Sequence, residues 1–285
     1  MNVGKFKVDS QTKLTRAIQT FYPELSYNAI NKILRQKDVK VNGKRVSVEM
    51  VLDVGDEVVF YFKEESQPIE VVFEDENIIV VNKPKNIETV VEGEGVSLCT
   101  KLEKLFSLKL YAVHRLDRNT TGLVIFAKTQ KAKESLDCAL KNRTLEKYYL
   151  AHVFGTFEKQ SDKLIAYLKK DSKNALVKIS DEQFPGFDLI QTNYKVVEEF
   201  DNSSVIEVEL VTGKTHQIRA HFSHIGHYLI GDEKYGDVKL NKLFGKKTQC
   251  LAAYKIIFHF EKGDALEYLN NKTIELPKEN IKFSN

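Results

Sequence analysis

The sequence predicts an α+β fold, with a large domain built on a mixed, largely antiparallel β-sheet flanked by helices and a small α+β domain ahead of it. Three observations lead there. Strand and helix patterns are mixed along the chain without the regular βαβ alternation of a parallel sheet. Of 285 residues, 42% are hydrophobic and 29% charged, the balance of a soluble chain with a sizeable core. Residues 1–62 carry ten Lys/Arg against seven Asp/Glu, which accounts for the whole net charge of +3, so the front of the chain differs in character from the rest.

Taken in order, Leu14, Ala17, Ile18 and Phe21 recur at helical spacing and predict a helix with one apolar stripe. Pro23 interrupts it, and Ser26 is the expected N-cap of a second helix. In that helix Ile30, Ile33 and Leu34 face inward, which leaves Lys32, Arg35 and Lys37 toward solvent or RNA. Val39–Val41 and Lys44–Val48 flank Asn42-Gly43, a pair suited to the positive φ values of a type I′ turn, and predict a hairpin. A turn at Asp53–Asp56 leads into a strand over Glu57–Phe62. Between Tyr27 and Val46 stand six basic residues and one acidic. Such a concentration fits a phosphate backbone, although a solvated helix face is the commoner fate of a charge run. Lys63–Pro68 is polar and aperiodic and reads as a linker, so the expected division is a domain over 1–62, a linker over 63–68 and a domain over 69–285.

In the larger part, Val71–Phe73 and Ile78–Val81 are predicted strands around a turn, the second ending at Lys83-Pro84. Leu98, Leu102 and Leu105 mark a helix capped by Ser97, and Thr129 opens another whose buried face is Ala132, Leu136, Ala139 and Leu140. Lys147–Phe154 returns to strand, and Ile206, Val208 and Leu210 alternate with Glu207 and Glu209 as a half-buried strand does. Gly213 breaks that strand. Ile218, Phe222 and Ile225 then predict a helix ending at Gly226.

Three strings carry chemistry. His114-Arg115-Leu116-Asp117-Arg118-Asn119-Thr120-Thr121-Gly122-Leu123 sets one carboxylate among cationic neighbours just before an apolar strand, a rigid support for a group aimed into a cleft. An ion pair of Asp117 with Arg115 or Arg118 is the plainer alternative. The second string runs from Gly213-Lys214-Thr215-His216-Gln217-Ile218-Arg219-Ala220-His221-Phe222 through His224 and His227 to Gly231-Asp232. The third is Glu146-Lys147-Tyr148-Tyr149-Leu150-Ala151.

Together these strings resemble those of the RluA-type pseudouridine synthases, over a stretch from about Thr12 to Tyr235. The resemblance implies that Asp117 is the catalytic aspartate, that Arg219 pairs with it and keeps it ionised, and that Tyr149 lies against the target base. It further implies that Ile218 packs under the uracil and that Arg115 enters the stack the base has left. The basic front resembles the alpha-L RNA-binding motif, which makes Lys32, Arg35 and Lys37 RNA contacts. The implied partner is RNA, ribosomal first and transfer RNA as an alternative, with no protein partner required. Departures from the family pattern gather in Asn86–Val96 and Asp162–Asp188, where substrate choice is expected to reside.

Other chemistries find little support. The reaction needs no cofactor, and no cofactor motif is found: Gly213-Lys214-Thr215 lacks a phosphate loop's leading glycine, since Val208 stands there, and Gly93-Glu94-Gly95 is a turn. Four histidines within residues 216–227 come without the spacing or cysteine pairs of a metal site, so no metal is expected. Cys99, Cys138 and Cys250 are odd in number and far apart, which favours reduced thiols in the cytoplasm. No apolar run is long enough to cross a bilayer, and Met1–Asp9 lacks a secretory core. A non-catalytic RNA-binding or ribosome-assembly factor and a metal-dependent nucleic-acid hydrolase remain the rival readings.

Overall fold

Ile78–Val81 and Leu123–Ala127 are wholly apolar, and every residue of both runs is fully buried. Strands of that kind are covered on both faces, and here they sit inside the main sheet. The structure, a computed structural model, describes residues 2–62 except 23, 24 and 26, residues 69–171 except 94, residues 176–281, and residue 283. The expected Ser26 cap, the Pro23 break and the linker at 63–68 lie outside the described residues. The chain divides into two compact units, Met1–Pro68 with Val91–Val96, and Ile69–Val90 with Ser97–Asn285.

In the first unit the elements are β1 (Asn2–Lys7), β2 (Thr12–Lys13), α1 (Leu14–Phe21), α2 (Tyr27–Arg35), β3 (Val39–Val41), β4 (Lys44–Val46), β5 (Val51–Leu52) and β6 (Glu57–Phe62). The antiparallel order β1-β6-β3-β4 supports both helices, and β2 pairs with β5. Leu14, Ala17 and Ile18 of α1 meet Ile30, Ile33 and Leu34 of α2 over Val39, Val58 and Phe60. Asn42 (φ 49°) and Gly43 (φ 81°) make the expected hairpin turn. Two details differ from expectation. Phe21 is 41% exposed, because it stacks on Phe6 at the rim (centroids 4.4 Å apart) rather than entering the core. β1 has no forerunner in the sequence pattern, since Val3 and Phe6 alone give no clear alternation, and pairing with β6 supplies what the local pattern lacks.

The second unit holds β7 (Glu70–Glu74), β8 (Ile78–Lys83), α3 (Leu98–Phe106), β9 (Tyr111–Ala112), β10 (Thr121–Ala127), α4 (Gln130–Asn142), β11 (Leu145–Phe154) and β12 (Ser161–Asp171). It continues with β13 (Leu176–Ser180), β14 (Asp188–Phe200), β15 (Ser203–Leu210), α5 (Gln217–His224), α6 (Val238–Leu243), β16 (Leu251–Phe258) and β17 (Thr273–Glu275). Among the described residues, eleven strands form one sheet in the order β13-β12-β14-β15-β11-β16-β10-β8-β7, with β9 on β10 and β17 on β16. Only β10 and β16 run parallel among the described pairs, so the sheet is mixed and largely antiparallel as the sequence predicts.

Each face of that sheet has its own core. On one, Val124, Phe126, Tyr149, Ala151 and Val208 pack with Leu98 and Leu102 of α3 and with Ile218 and Phe222 of α5. On the other, Leu123, Ile125 and Tyr254 pack with Ala132, Leu136 and Ala139 of α4. Ser97 caps α3 in a reciprocal box with Thr100, and the Thr129 side chain caps α4. Leu105 departs from its predicted stripe and is 65% exposed, because Phe106, the last residue of α3, packs against the core in its stead.

Candidate active site

Asp117 sits on a turn between β9 and β10 that is tied down on several sides. Its carbonyl accepts from the Thr120 N–H (3.0 Å), and Leu116, itself buried, donates its N–H to Thr89 Oγ1 (3.0 Å). The fully buried Lys83 donates from Nζ to the carbonyls of Pro84 (3.0 Å), Ile87 (2.8 Å) and Arg118 (3.1 Å). Three donors thus meet three acceptors, and the end of β8 is tied to the residue after Asp117. Burial brings that ammonium down to about 7, against the pull of the Asp117 and Glu88 charges. Lys83 therefore ties the end of β8 to the turn that carries Asp117.

Arg219 enters from the first turn of α5. Its Nη1 donates to Asp117 Oδ2 at 2.7 Å, while Nε and Nη2 grip the two oxygens of Asp232 at 2.6 and 2.9 Å. Asp232 is fully buried and also accepts from the backbone N–H groups of Lys234 (2.9 Å) and Tyr235 (3.1 Å). Burial works to raise the Asp232 pKa, but the Arg219 hydrogen bonds and charge outweigh it and hold the carboxyl below its ordinary value. Arg219 is likewise penalised by burial, and Asp232 first, then Asp117, fix it as a cation. The outcome is a guanidinium gripped along its Nε–Nη2 edge by both oxygens of Asp232, with Nη1 presented to Asp117.

α5 is itself set by Gln217. Its Oε1 accepts from Thr212 Oγ1 (2.9 Å) and the Lys214 N–H (3.1 Å), and its Nε2 donates to Gln191 O and Thr192 Oγ1 (both 3.0 Å). Just before it, His216 adopts the left-handed conformation (φ 55°), and its Nε2 lies 3.8 Å from Asp117 Oδ2. Tyr235 braces this side, with its hydroxyl 2.9 Å from His216 Nδ1 and its ring 5.2 Å from the Arg219 guanidinium carbon.

Tyr149 comes from the middle of β11. The pairing of β11 with β16 shifts register between Tyr148 and Tyr149, where β16 carries the extra residue Tyr254, while β11 itself alternates regularly against β15. Tyr148 turns to the far face and donates to Glu146 (2.6 Å), whereas Tyr149 is buried close to Asp117. Burial, reinforced by the Asp117 charge, pushes the Tyr149 hydroxyl well above its ordinary range, so it stays a neutral phenol.

Asp117, Tyr149, Ile218, Arg219 and Arg115 all line one cavity of about 320 Å³, and Lys147, Gly213 and His216 share its wall. That volume is within the range of about 300–1,000 Å³ typical of small-ligand sites. Arg115 is exposed there, and Ile218 is buried. Lys32, Arg35 and Lys37 are exposed residues of the other unit and are not part of this cavity. The four clustered histidines have separate partners: His216 meets Tyr235, His221 Thr192 (3.0 Å), His224 Asp181 (2.9 Å) and His227 the carbonyl of Phe154 (3.0 Å). Among the described residues no group of His, Cys, Asp or Glu is arranged to hold a metal ion.

Sequence reasoning passes over Asp232 and Gln217 as parts of this machinery. Asp232 closes the second string, and the Gly-Asp pair there is the available signal. Gln217 stands inside that string, but nothing local says that its amide closes the loop.

Residues 77–224 match the family described as RNA pseudouridylate synthase. The chain is 31% identical over 257 residues to the ribosomal large subunit pseudouridine synthase C of Vibrio cholerae, covering 81% of this chain and 80% of that one. Its likeness to the proteins of that name from Haemophilus influenzae (32% over 267 residues, 84% and 81% covered) and Escherichia coli (33% over 237 residues, 75% and 72% covered) is comparable. The fold is shared with human RNA pseudouridylate synthase domain containing 1, at a TM-score of 0.63 and 22% identity, covering 76% of this chain and 86% of that one. A matched catalytic-domain family, relatives aligned over most of both chains and a common fold lead to one conclusion: this chain belongs to the RNA pseudouridylate synthase family.

Proposed function

We propose that this protein isomerises specific uridines in large-subunit ribosomal RNA, with Asp117 as the group on which the reaction depends. One observation carries the proposal: a carboxylate held on an arginine edge faces a cavity whose other walls are a buried phenol and an aliphatic side chain. The isomerisation breaks the bond from uracil N1 to the sugar, turns the base, joins C5 to the anomeric carbon and removes the C5 proton, while N1 takes up a proton, so that no atom is gained or lost. A carboxylate beside the sugar serves either as nucleophile or as base for a sugar proton. Tyr149 and Ile218 bracket the flat base, and a uridine stacked in a helix has to leave it to reach them. Arg115 lines the cavity and is exposed, and in this reading it enters the vacated stack. No step in this scheme requires a cofactor.

The substrate assignment follows the three relatives named for the large ribosomal subunit. A cytoplasmic location goes with that substrate in this reading. No helix among the described residues is long and apolar enough to cross a membrane. In this reading residues 1–62 are an alpha-L RNA-binding domain, residues 63–68 a linker and residues 69–285 the catalytic domain. Lys32, Arg35 and Lys37, all exposed in or just after α2, supply grip on phosphates whatever the sequence. The test is a map of pseudouridines in cellular RNA with and without the gene. Sites lost from large-subunit RNA and restored by the wild-type gene are expected. Losses confined to transfer RNA would overturn the substrate, and an unchanged map would overturn the activity.

A further inference from the structure

Lys147 is the cavity's unexplained residue. It stands two positions before Tyr149 on β11, so the two lie about 7 Å apart along one strand and point to the same side. Both line the cavity. The other cations there are engaged or exposed: Arg219 holds Asp117 and Asp232, and Lys214, its side chain 43% exposed, pairs with Asp188 at 2.7 Å. Lys147 has no carboxylate within 4 Å among the described residues, and its Nζ lies against Gly213, 3.3 Å from where a Cβ would stand. Burial, with no acid to offset it, brings its ammonium down to about 8. A largely buried cation without a counter-charge is costly, and such a group is commonly completed by a ligand's negative charge.

The ligand's chemistry narrows the choice. In the proposed reading, on which this inference rests, Tyr149 and Ile218 take the faces of the base and Asp117 takes the sugar. What remains of the nucleotide is phosphate, its fully charged part. We propose that Lys147 is a phosphate subsite, binding a phosphodiester that flanks the extruded uridine and so fixing how deep the nucleotide sits. Lys147 is then a binding residue for the RNA strand, with no part in bond breaking.

The experiment compares the full-length wild type with Lys147→Met and Lys147→Arg, on RNA that the wild type has first been shown to modify. A failure of the ribosomal assignment therefore changes the RNA used and leaves this comparison intact. Lys147→Met keeps length and removes only charge, so it is expected to fold at least as well as the wild type. Releasing one phosphate lowers the slope of log affinity against log salt by about 0.7–0.9, so the wild type's advantage shrinks about threefold between 50 and 200 mM salt. KM should rise in Lys147→Met while kcat at saturating RNA stays close to wild type, and Lys147→Arg should restore both slope and KM. An unchanged salt slope in Lys147→Met would overturn the proposal, whether or not affinity falls. So would a loss confined to kcat, which would put the ammonium on the departing uracil instead.

Discussion

Asp117 and Asp232 share one guanidinium yet hold opposite positions. Asp232 is fully enclosed and spends both oxygens on Arg219 and on two backbone N–H groups, while the Asp117 side chain is 24% exposed and faces the cavity. Asp232 thus orients the arginine, and Asp117 is left open to the cavity. Asp232→Ala should cost about 3–5 kcal/mol, the usual loss when one partner of a buried pair is removed. Asp232→Asn keeps the shape and should cost less, but lower kcat by releasing the guanidinium from its fixed angle. Urea unfolding and steady-state rates together check both. His221 gives a pH signature. It is buried with Nδ1 on Thr192, and burial, then the nearby His224, lowers its pKa from 6.5 to about 4. Between those values the unfolded chain binds the extra proton, so this contribution is complete above about 6.5 and is lost as pH falls toward 4. The expected slope is at most about 1.4 kcal/mol per pH unit. Urea midpoints measured from pH 7 to pH 4 should fall less steeply in His221→Gln than in the wild type.

At the scale of elements, β10 and β16 form the one parallel pair among the described strands, and Gly122 makes their approach possible. A Cβ there would stand 2.0 Å from the Ala253 carbonyl oxygen, at a φ of 107° that L side chains rarely adopt. Gly122→Ala should therefore destabilise by about 3 kcal/mol or more, seen as a lowered urea midpoint, because both overpacking and backbone strain apply. The motif strings are legible in the sequence because each lies on one short segment. Asp117 leads into β10, Ile218 and Arg219 open α5, and Tyr149 lies within β11. Apolar runs such as Leu123–Ala127 announce the central strands for the same reason, since burial on both faces leaves a local trace. What stays hidden depends on distant partners. β1 exists through β6, the bulge at Tyr254 of β16 through β11, and the hold of Asp232 on Arg219 through residues thirteen apart. Leu105 fails in the other direction: helical spacing alone does not say that Phe106, four residues after Leu102, packs on the core in place of Leu105.

Considered whole, the chain concentrates its surplus positive charge in residues 1–62 and leaves the remainder balanced. If the first unit grips RNA through phosphates, removing residues 1–62 should weaken binding and flatten its salt dependence by about 0.7–0.9 for each phosphate no longer held. A truncated protein with the wild-type slope would make those lysines and arginines merely solvated. The central claim concerns Asp117, and the direct test is pseudouridine formation by purified wild type and Asp117→Asn on unmodified large-subunit ribosomal RNA transcribed in vitro. The account predicts product from the wild type, and from the variant near-normal RNA binding with a rate at least about a hundredfold lower. Product formed by Asp117→Asn at the wild-type rate would contradict it.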